Sequence, residues 1–445
     1  MFGFLQSENS KLCGAAKNWL YLGHKVYNFR KDQLTDSEIS ELGKRLEELR
    51  VQLKAKTADA GKLKLAIEGV EGHMKKVGGA FYPQSMIGEN VDFALYFLIL
   101  YLGFTAFFIK PFKIPTNSMW PTYNGMTSEV WTEDNPAPGV ISRAFRLIAH
   151  GAIRYDLKAP ADGELLIPIS TRIRSNSLLP VNTVSKRHHL IIPGKGNGFA
   201  FEIGGKPLLL KTPQEFDVSS DMPTLNEQDQ NILLKSWFPE ESSLLEVIQK
   251  KISSGETAGR GQRTLANGLV TDVILVKTGR FFEKGETVLS FDIHTGDQLF
   301  VDRMSYHFVR PKVGDGFVFK TSEVPALTRR GRDSYYIKRL SGVPGNELQI
   351  DNGKLLVNGE EAQGSVGFVK NNSKEAPYDG YFHIGNSLLR RGETIEVPEE
   401  RYVALGDNSA HSSDSRDWGY VPEPAIVGRP VLIFYPFTKR FGLTK

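Results

Sequence analysis

Phe107-Phe108-Ile109-Lys110-Pro111-Phe112-Lys113-Ile114-Pro115-Thr116-Asn117-Ser118-Met119-Trp120-Pro121-Thr122 is the stretch on which the fold turns. Two opposed signals meet in it. An apolar run, Phe93 to Ile109, ends at its start, and a proline-flanked, serine-bearing turn follows within about three helical turns. The run is roughly 17 residues long, at the short end for a membrane-spanning helix, with Asp92 before it, Lys110 after it, and Tyr96 and Tyr101 as interfacial residues. A buried core helix is the other reading, but the run lacks the polar face that a soluble helix normally shows. Ser118 is thus a hydroxyl held near a bilayer, a candidate for chemistry on something else held there. Lysines flank the run on both sides (Lys75, Lys76; Lys110, Lys113), so charge leaves its orientation open.

Upstream, residues 1–35 read as an N-terminal segment without assigned function, and Met1 to Leu12 lacks the charged start and apolar core of a cleavable signal peptide. Thr35-Asp36-Ser37-Glu38 is a capping box. It opens a series spaced three and four apart: Ile39, Leu42, Leu46, Leu49, Leu53, Lys56, Ala60, Leu63, Ile67, Val70, Met74. That spacing predicts a coiled-coil-like helix over 36–76, able to self-associate. One helix of a hairpin, or a helix lying on the bilayer, fits the same pattern.

The 445 residues leave room for two or three domains. A net charge of +4 is mild for this length and argues against nucleic-acid binding. Cys13 is the only cysteine, which rules out an intramolecular disulfide and a cysteine-based zinc site. His188-His189 would point to opposite faces of a strand, a poor arrangement for joint ligation, so no metal and no cofactor is expected.

Downstream, 125–296 is predicted as an insert of mixed α/β character. Lys158 to Pro168 and Val273 to Glu286 read as short strands with Gly turns, either two unrelated hairpins or the two arms of a barrel-sandwich module. Helix is expected within Glu227 to Ile252. From Leu299 onward the pattern is antiparallel β, with strands at Leu299–Val301, Gly316–Lys320, Tyr335–Leu340, Glu347–Ile350 and Lys354–Val357, and a hairpin turn at Asp351-Asn352-Gly353.

A serine hydroxyl needs an adjacent base to become a nucleophile. His294, His307 and His411 sit in weak contexts, whereas Lys338 lies inside a strand, alternating with Tyr336 and Leu340 on one face. Desolvation there would lower its pKa and let a neutral amine take the serine proton. On this reasoning alone, a lysine snorkelling from an edge strand is the commoner case, and Arg339 is the cation expected to face solvent. The loop Ala404 to Pro422 is dense in short hydrogen-bonding side chains; it reads as a brace for a site or as a solvated surface loop.

Four segments, taken in order, resemble the bacterial type I signal peptidases, the Ser/Lys-dyad membrane proteases that remove signal peptides. They are Ile114 to Thr122; Asp302 to Tyr306 with Arg310 to Phe319; Tyr336 to Asn346; and Gly406-Asp407-Asn408 with Ser412 to Arg416 and Trp418-Gly419. The resemblance covers roughly 90–124 and 297–435 and departs at Tyr123, where Leu is common, and at Asn346, where Asp is common. It implies a mainly β catalytic domain of antiparallel sheets, related to the repressor proteases, with one N-terminal transmembrane helix (91–109) and a cytoplasmic helical or coiled-coil segment. The catalytic domain would be the nucleophile box 110–124 plus 297–445. Ser118 would be nucleophile and Lys338 general base; the Ser118 N–H and the Thr116 hydroxyl would form the oxyanion hole. Ser412 would orient the lysine, Asp414 and Arg416 would pair beneath it, and Phe112, Ile114, Pro115, Met119, Tyr336 and Ile337 would line pockets for Ala-X-Ala sequences. The implied partners are preproteins with signal peptides and the lipid bilayer, and the 36–76 segment would self-associate or contact secretion machinery. The implied location is the bacterial cytoplasmic (inner) membrane, single-pass, with the catalytic domain periplasmic. Two other functions compete. A self-cleaving Ser/Lys protease does not account for the membrane run, and a non-enzymatic membrane scaffold does not account for complete catalytic segments.

Overall fold

The computed structural model describes residues 8–54, 60–82, 86–170, 179–188, 192–214, 216, 218, 231–264, 270–331, 333–375, 378–383 and 387–444. Two units divide the chain, Met1–Gly103 and Phe104–Lys445.

In the first unit, α1 (Glu8–Arg30), α2 (Asp36–Lys54) and α3 (Ala60–Val77) form a bundle. The capping box starts α2: the Thr35 N–H donates to Glu38 Oε2 at 2.9 Å and the Glu38 N–H donates to Thr35 Oγ1 at 3.4 Å. The single helix expected over 36–76 is two helices. Arg45 Nη1 donates to the Gly69 carbonyl and the His73 ring bonds the Glu38 carbonyl, a pairing that runs α2 and α3 antiparallel. The reason is in the heptad positions themselves: Leu42, Leu46 and Leu49 are buried with Leu63, Ile67, Val70 and Met74, so the apolar stripe closes on itself and on α1. Lys56, the polar interruption, lies outside the described residues. Gly23 of α1 permits this closeness, since a Cβ there would stand 2.2 Å from Leu46 Cδ2.

Helix α4 (Met86–Phe107) contains no buried residue and is the one described helix long and apolar enough to cross a membrane. It begins before and ends short of the expected 91–109: Phe107 is its last residue, and Ile109 opens strand β1 (Ile109–Lys113), because Ile109 and Lys110 pair with Asp302 and Val301.

In the second unit, β1 leads through the serine-bearing turn into the insert. The insert supplies β2 (Thr127–Val130), α5 (Val140–His150), β3 (Ile153–Lys158), β4 (Gly163–Ser170), β5 (Val181–His188), β6 (Ile192–Ile203), β7 (Lys206–Pro213), β8 (Thr257–Thr264), β9 (Val270–Phe282) and β10 (Thr287–His294). Its sheets run β2-β10-β3 and β5-β6-β4-β9-β8, with β7 beside β6. The two glycine-rich stretches are not separate hairpins; they pair with each other, Gly163 with Phe282 through Ser170 with Val273. The helices expected between Glu227 and Ile252 are Ile232–Trp237 and Leu244–Ser253, and Trp237, Leu244 and Ile248 share a core with Phe199, Leu165 and Phe291.

Beyond the insert come β11 (Gln298–Asp302), β12 (Gly316–Lys320), β13 (Tyr335–Gly342), β14 (Glu347–Asp351), β15 (Lys354–Val357), β16 (Glu360–Glu361), β17 (Thr394–Glu396), β18 (Arg401–Leu405), β19 (Val421–Pro422), β20 (Ile426–Tyr435) and β21 (Gly442–Leu443). The main sheet runs β1-β11-β20-β12-β13-β18-β19, with β21 on β20, and a smaller one β16-β15-β14-β17. All the ladders among the described residues are antiparallel, as the alternating pattern after Leu299 predicts. The sheet curves so that β1 approaches β13: the Phe112 and Tyr335 rings lie 5.0 Å apart and Lys110 Nζ donates to Tyr335 Oη at 3.3 Å.

Leu49→Ala should cost about 2–5 kcal/mol. Hydrogen exchange reads it as lost amide protection across α1 to α3, with the strands of the second unit unchanged.

Candidate active site

Ser118 stands in a single 3-10 turn, Asn117–Met119, set by side chains on either side of it. Asn117 Oδ1 accepts the Gly125 N–H at 2.7 Å, the Ser118 carbonyl accepts the Asn408 N–H at 3.1 Å, and Asn408 Nδ2 donates to the Asn117 carbonyl at 3.2 Å. Gly406 leaves room for this contact, since a Cβ there would stand 2.6 Å from the Ser118 carbonyl oxygen. Thr116 precedes the turn in extended conformation, φ −119° and ψ 157°.

The insert returns the chain beside its point of departure. The Ile114 N–H donates to the Asp297 carbonyl at 2.8 Å, the Asp297 N–H to the Asn124 carbonyl at 2.9 Å, and the Asn124 N–H to Asp297 Oδ2 at 2.8 Å. Asp297 is 1% exposed and pairs with Arg440 Nη2 at 2.6 Å, and Arg440 Nη1 also donates to the Pro121 carbonyl at 3.1 Å. A residue near the end of the chain therefore holds the serine-bearing loop. Sequence reasoning missed Asp297 and Arg440; a buried Asp at the return of an insert has no local pattern to reveal it.

Lys338 Nζ donates to Ser118 Oγ at 2.7 Å. Lys338 pairs with Phe317 of β12, one residue before β13 takes up its ladder with β18 at Arg339, and its side chain is buried rather than snorkelling to solvent. Burial lowers its pKa from the ordinary 10.5 to about 8; Asp414 and Asp407 pull it up and Arg416 pushes it down. The expectation for Arg339 is overturned. Arg339 is buried, donating to Asp407 Oδ1 (Nε, 3.0 Å), the Gly314 carbonyl (2.8 Å) and Thr122 Oγ1 (2.9 Å). A shielded carboxylate, not water, neutralises it, and the local β alternation could not reveal a partner 68 residues away.

Asp414 and Arg416 are both fully buried and pair through two hydrogen bonds, 2.8 and 2.6 Å. Asp414 Oδ2 also accepts the Gly406 N–H at 3.0 Å, and Arg416 donates to Ser409 Oγ and to the Phe382 carbonyl. Burial by itself raises the Asp414 carboxyl, but Arg416 outweighs it and holds the group below its ordinary value. Ser412 differs from the expectation: its buried Oγ has no hydrogen-bond partner among the described residues and does not bond Lys338. The hydroxyl is packed against the Gly406 backbone, where a Cβ would stand 2.2 Å from it.

Of the residues expected to line pockets, Phe112, Ile114, Met119 and Ile337 share one cluster with Leu299 and Val318. Ile114 (4% exposed) and Met119 (0%) belong to the core and form a floor, not an accessible lining. Their apolar faces are consumed in holding the serine turn. Phe112, Pro115, Tyr336 and Ile337 remain half-buried, and the Tyr336 ring centroid is 5.9 Å from Lys338 Nζ.

Comparison with known proteins bears on this geometry. Residues 266–435 match the family described as signal peptidase, peptidase S26; the span includes Lys338, Asp407, Asp414 and Arg416 but begins after Ser118. A probable signal peptidase I-2 of Synechocystis is 30% identical over 186 residues, which cover 40% of this chain and 75% of that protein. The chain belongs to the signal peptidase I family. Signal peptidase I T of Bacillus subtilis is 31% identical over 150 residues, 33% of this chain and 69% of that protein. A signal peptidase I of Leptolyngbya laminosa is 33% identical over 147 residues; the match takes in 33% of this chain and 64% of that relative's length. The family is one of membrane-associated serine endopeptidases acting on exported preproteins, and α4 is compatible with that association.

Removing one partner from a buried ion pair strands the other charge. Asp414→Ala should therefore lower stability by about 3–5 kcal/mol, read as a fall in the unfolding temperature of the second unit.

Proposed function

We propose that this chain is a signal peptidase in which Ser118 and Lys338 form the catalytic dyad. The observation that carries the reading is the 2.7 Å separation of Lys338 Nζ and Ser118 Oγ, with the amine desolvated enough that its pKa falls to about 8. Near neutrality a useful fraction of such an amine is neutral, and its lone pair can accept the serine proton. Ser118 Oγ then attacks the scissile carbonyl carbon. The negative oxygen of the tetrahedral intermediate is met by the Ser118 N–H and the Thr116 hydroxyl. Its collapse breaks the C–N bond, and the Lys338 ammonium returns the proton to the leaving amine. A water molecule repeats the sequence on the acyl-enzyme.

Several features of the second unit support an extended substrate beside the dyad. β1 makes ladder pairs only with β11, and Tyr335 to Lys338 only with β12, so both strands offer a free edge there among the described residues. Phe112, Pro115, Tyr336 and Ile337 border this slot with small apolar surfaces, suited to the short side chains of Ala-X-Ala sites. Asp414 and Arg416, and Arg339 with Asp407, brace the strand and loop that carry the lysine. With α4 spanning the bacterial cytoplasmic membrane once, the first unit would be cytoplasmic and the second would face outward, where signal peptides are cleaved.

Ser118→Ala and Lys338→Ala should each abolish cleavage of a preprotein in detergent while the circular dichroism spectrum is retained. Thr116→Val should reduce kcat by about 10²–10³ through loss of one oxyanion donor. A Lys338→Ala protein that cleaves at the parent rate would sink the dyad assignment.

The pH dependence follows from the neutral form being the base. Burial lowers the lysine pKa, so activity rises as pH increases through about 8. At about pH 6 only ~1% of Lys338 is neutral, and kcat/KM should fall to about that fraction of its plateau. A profile flat from about pH 6 to 9 contradicts the assignment.

A further inference from the structure

Helix α5 is amphipathic, and it is mounted the wrong way round for a soluble domain. Its apolar residues face out: Val140 is 85% exposed, Ile141 88%, Phe145 65%, Leu147 52% and Ile148 70%, while only Ala149 is buried. At 100° per residue these five span an arc of roughly 160°. Arg146, on the opposite side, faces the protein. Its guanidinium pairs with Glu129 and Asp292, lies 3.1 Å from His294 Nε2, and stacks 5.0 Å from the Trp131 ring. The C-terminal end is fixed as well. Tyr435 Oη donates to the Leu147 and Ile148 carbonyls, and the Phe437 N–H donates to the Ala149 carbonyl at 2.9 Å. With the polar face held by ion pairs, the helix cannot roll to bury its apolar arc on its own domain.

The exposed surface continues beyond the helix. Phe437 (59% exposed) packs against Phe441 (53%), with ring centroids 5.8 Å apart, next to β21. Arg143, exposed near one margin of the arc, is placed to meet an anionic headgroup. The same chain supplies the surface that could cover this arc. β1 follows α4 after one residue, and Ile109 and Tyr435 mark opposite ends of the paired strands β1, β11 and β20, about four residues or ~13 Å apart. A bilayer crossed by α4 is therefore present at high effective concentration wherever this unit is.

We propose that α5 lies in the membrane interface, its apolar arc among the acyl chains of a phospholipid bilayer, as a second attachment of this unit. The proposal goes beyond the proteolytic reading and rests on α4 being a membrane span. A helix with a strong apolar face and a cationic margin has the composition of an interfacial anchor.

The test uses the full chain carrying Cys13→Ser and one new cysteine, labelled with an environment-sensitive fluorophore, in phosphatidylethanolamine–phosphatidylglycerol vesicles with brominated acyl chains. Probes go at Ile141 and Ile148 on the arc, at Ile99 in α4, and at Ser253, an exposed residue elsewhere in the insert. Quenching at Ile141, Ile148 and Ile99 should exceed that at Ser253 by at least about twofold. If Ile99 is quenched and both arc positions behave like Ser253, α5 is not in the bilayer and this proposal alone falls. An arc probe shielded from water but insensitive to bromine means that a protein surface covers the helix, which also overturns it. If Ile99 is unquenched, the span and the interfacial helix fall together.

Discussion

The proposed dyad depends on keeping one amine, Lys338, out of water beside the Ser118 hydroxyl. Moving the Lys338 pKa from 10.5 to about 8 corresponds to about 3 kcal/mol in favour of the neutral amine relative to water. Burial is the largest cause. Two buried ion pairs lie near the site: Asp414 and Asp407 raise the lysine pKa, Arg416 lowers it, and burial outweighs the carboxylates.

Lys338 lies out of water although only one neighbour pairs with β13 at its position: β12 does so through Phe317, and β18 joins at Arg339. The serine side is held equally firmly. Asn408 ties the turn to the loop after β18, and Asp297 with Arg440 ties the end of the serine loop to the return of the insert.

The insert separates nucleophile from base in sequence without separating them in space. Thr127 of β2 pairs with His294 of β10, so the excursion begins and ends at adjacent points. Closing a long loop costs only slowly more free energy as it lengthens, and an insertion whose ends meet leaves the surrounding sheet intact. Its own core, including Phe199, Trp237 and Phe291, is consistent with a module that carries its own stability. The helical unit shows a related economy: a stripe able to bind a partner is used up within the chain.

Much of the β domain was legible locally. Strands at Gly316–Lys320 and Lys354–Val357 match residue for residue, because alternation and glycine turns are short-range signals. The capping box and the apolar helix were legible for the same reason, and the ordered segments around Ser118 and Lys338 pointed to the family. What the local pattern could not decide was anything set by partners far along the chain. The heptads showed an apolar stripe but not that it folds back between α2 and α3. β alternation placed Arg339 in solvent, whereas Asp407 draws it into the core. Met119 read as pocket lining, and packing made it floor; Ser412 read as a partner of Lys338, and its hydroxyl turned against Gly406. The chain alone determined which groups are available: Ser118, Lys338, the Asp414–Arg416 pair and an apolar run. Only the tertiary structure decided which of them lose their water, because desolvation is a property of all the elements packed around a group and of none of them singly.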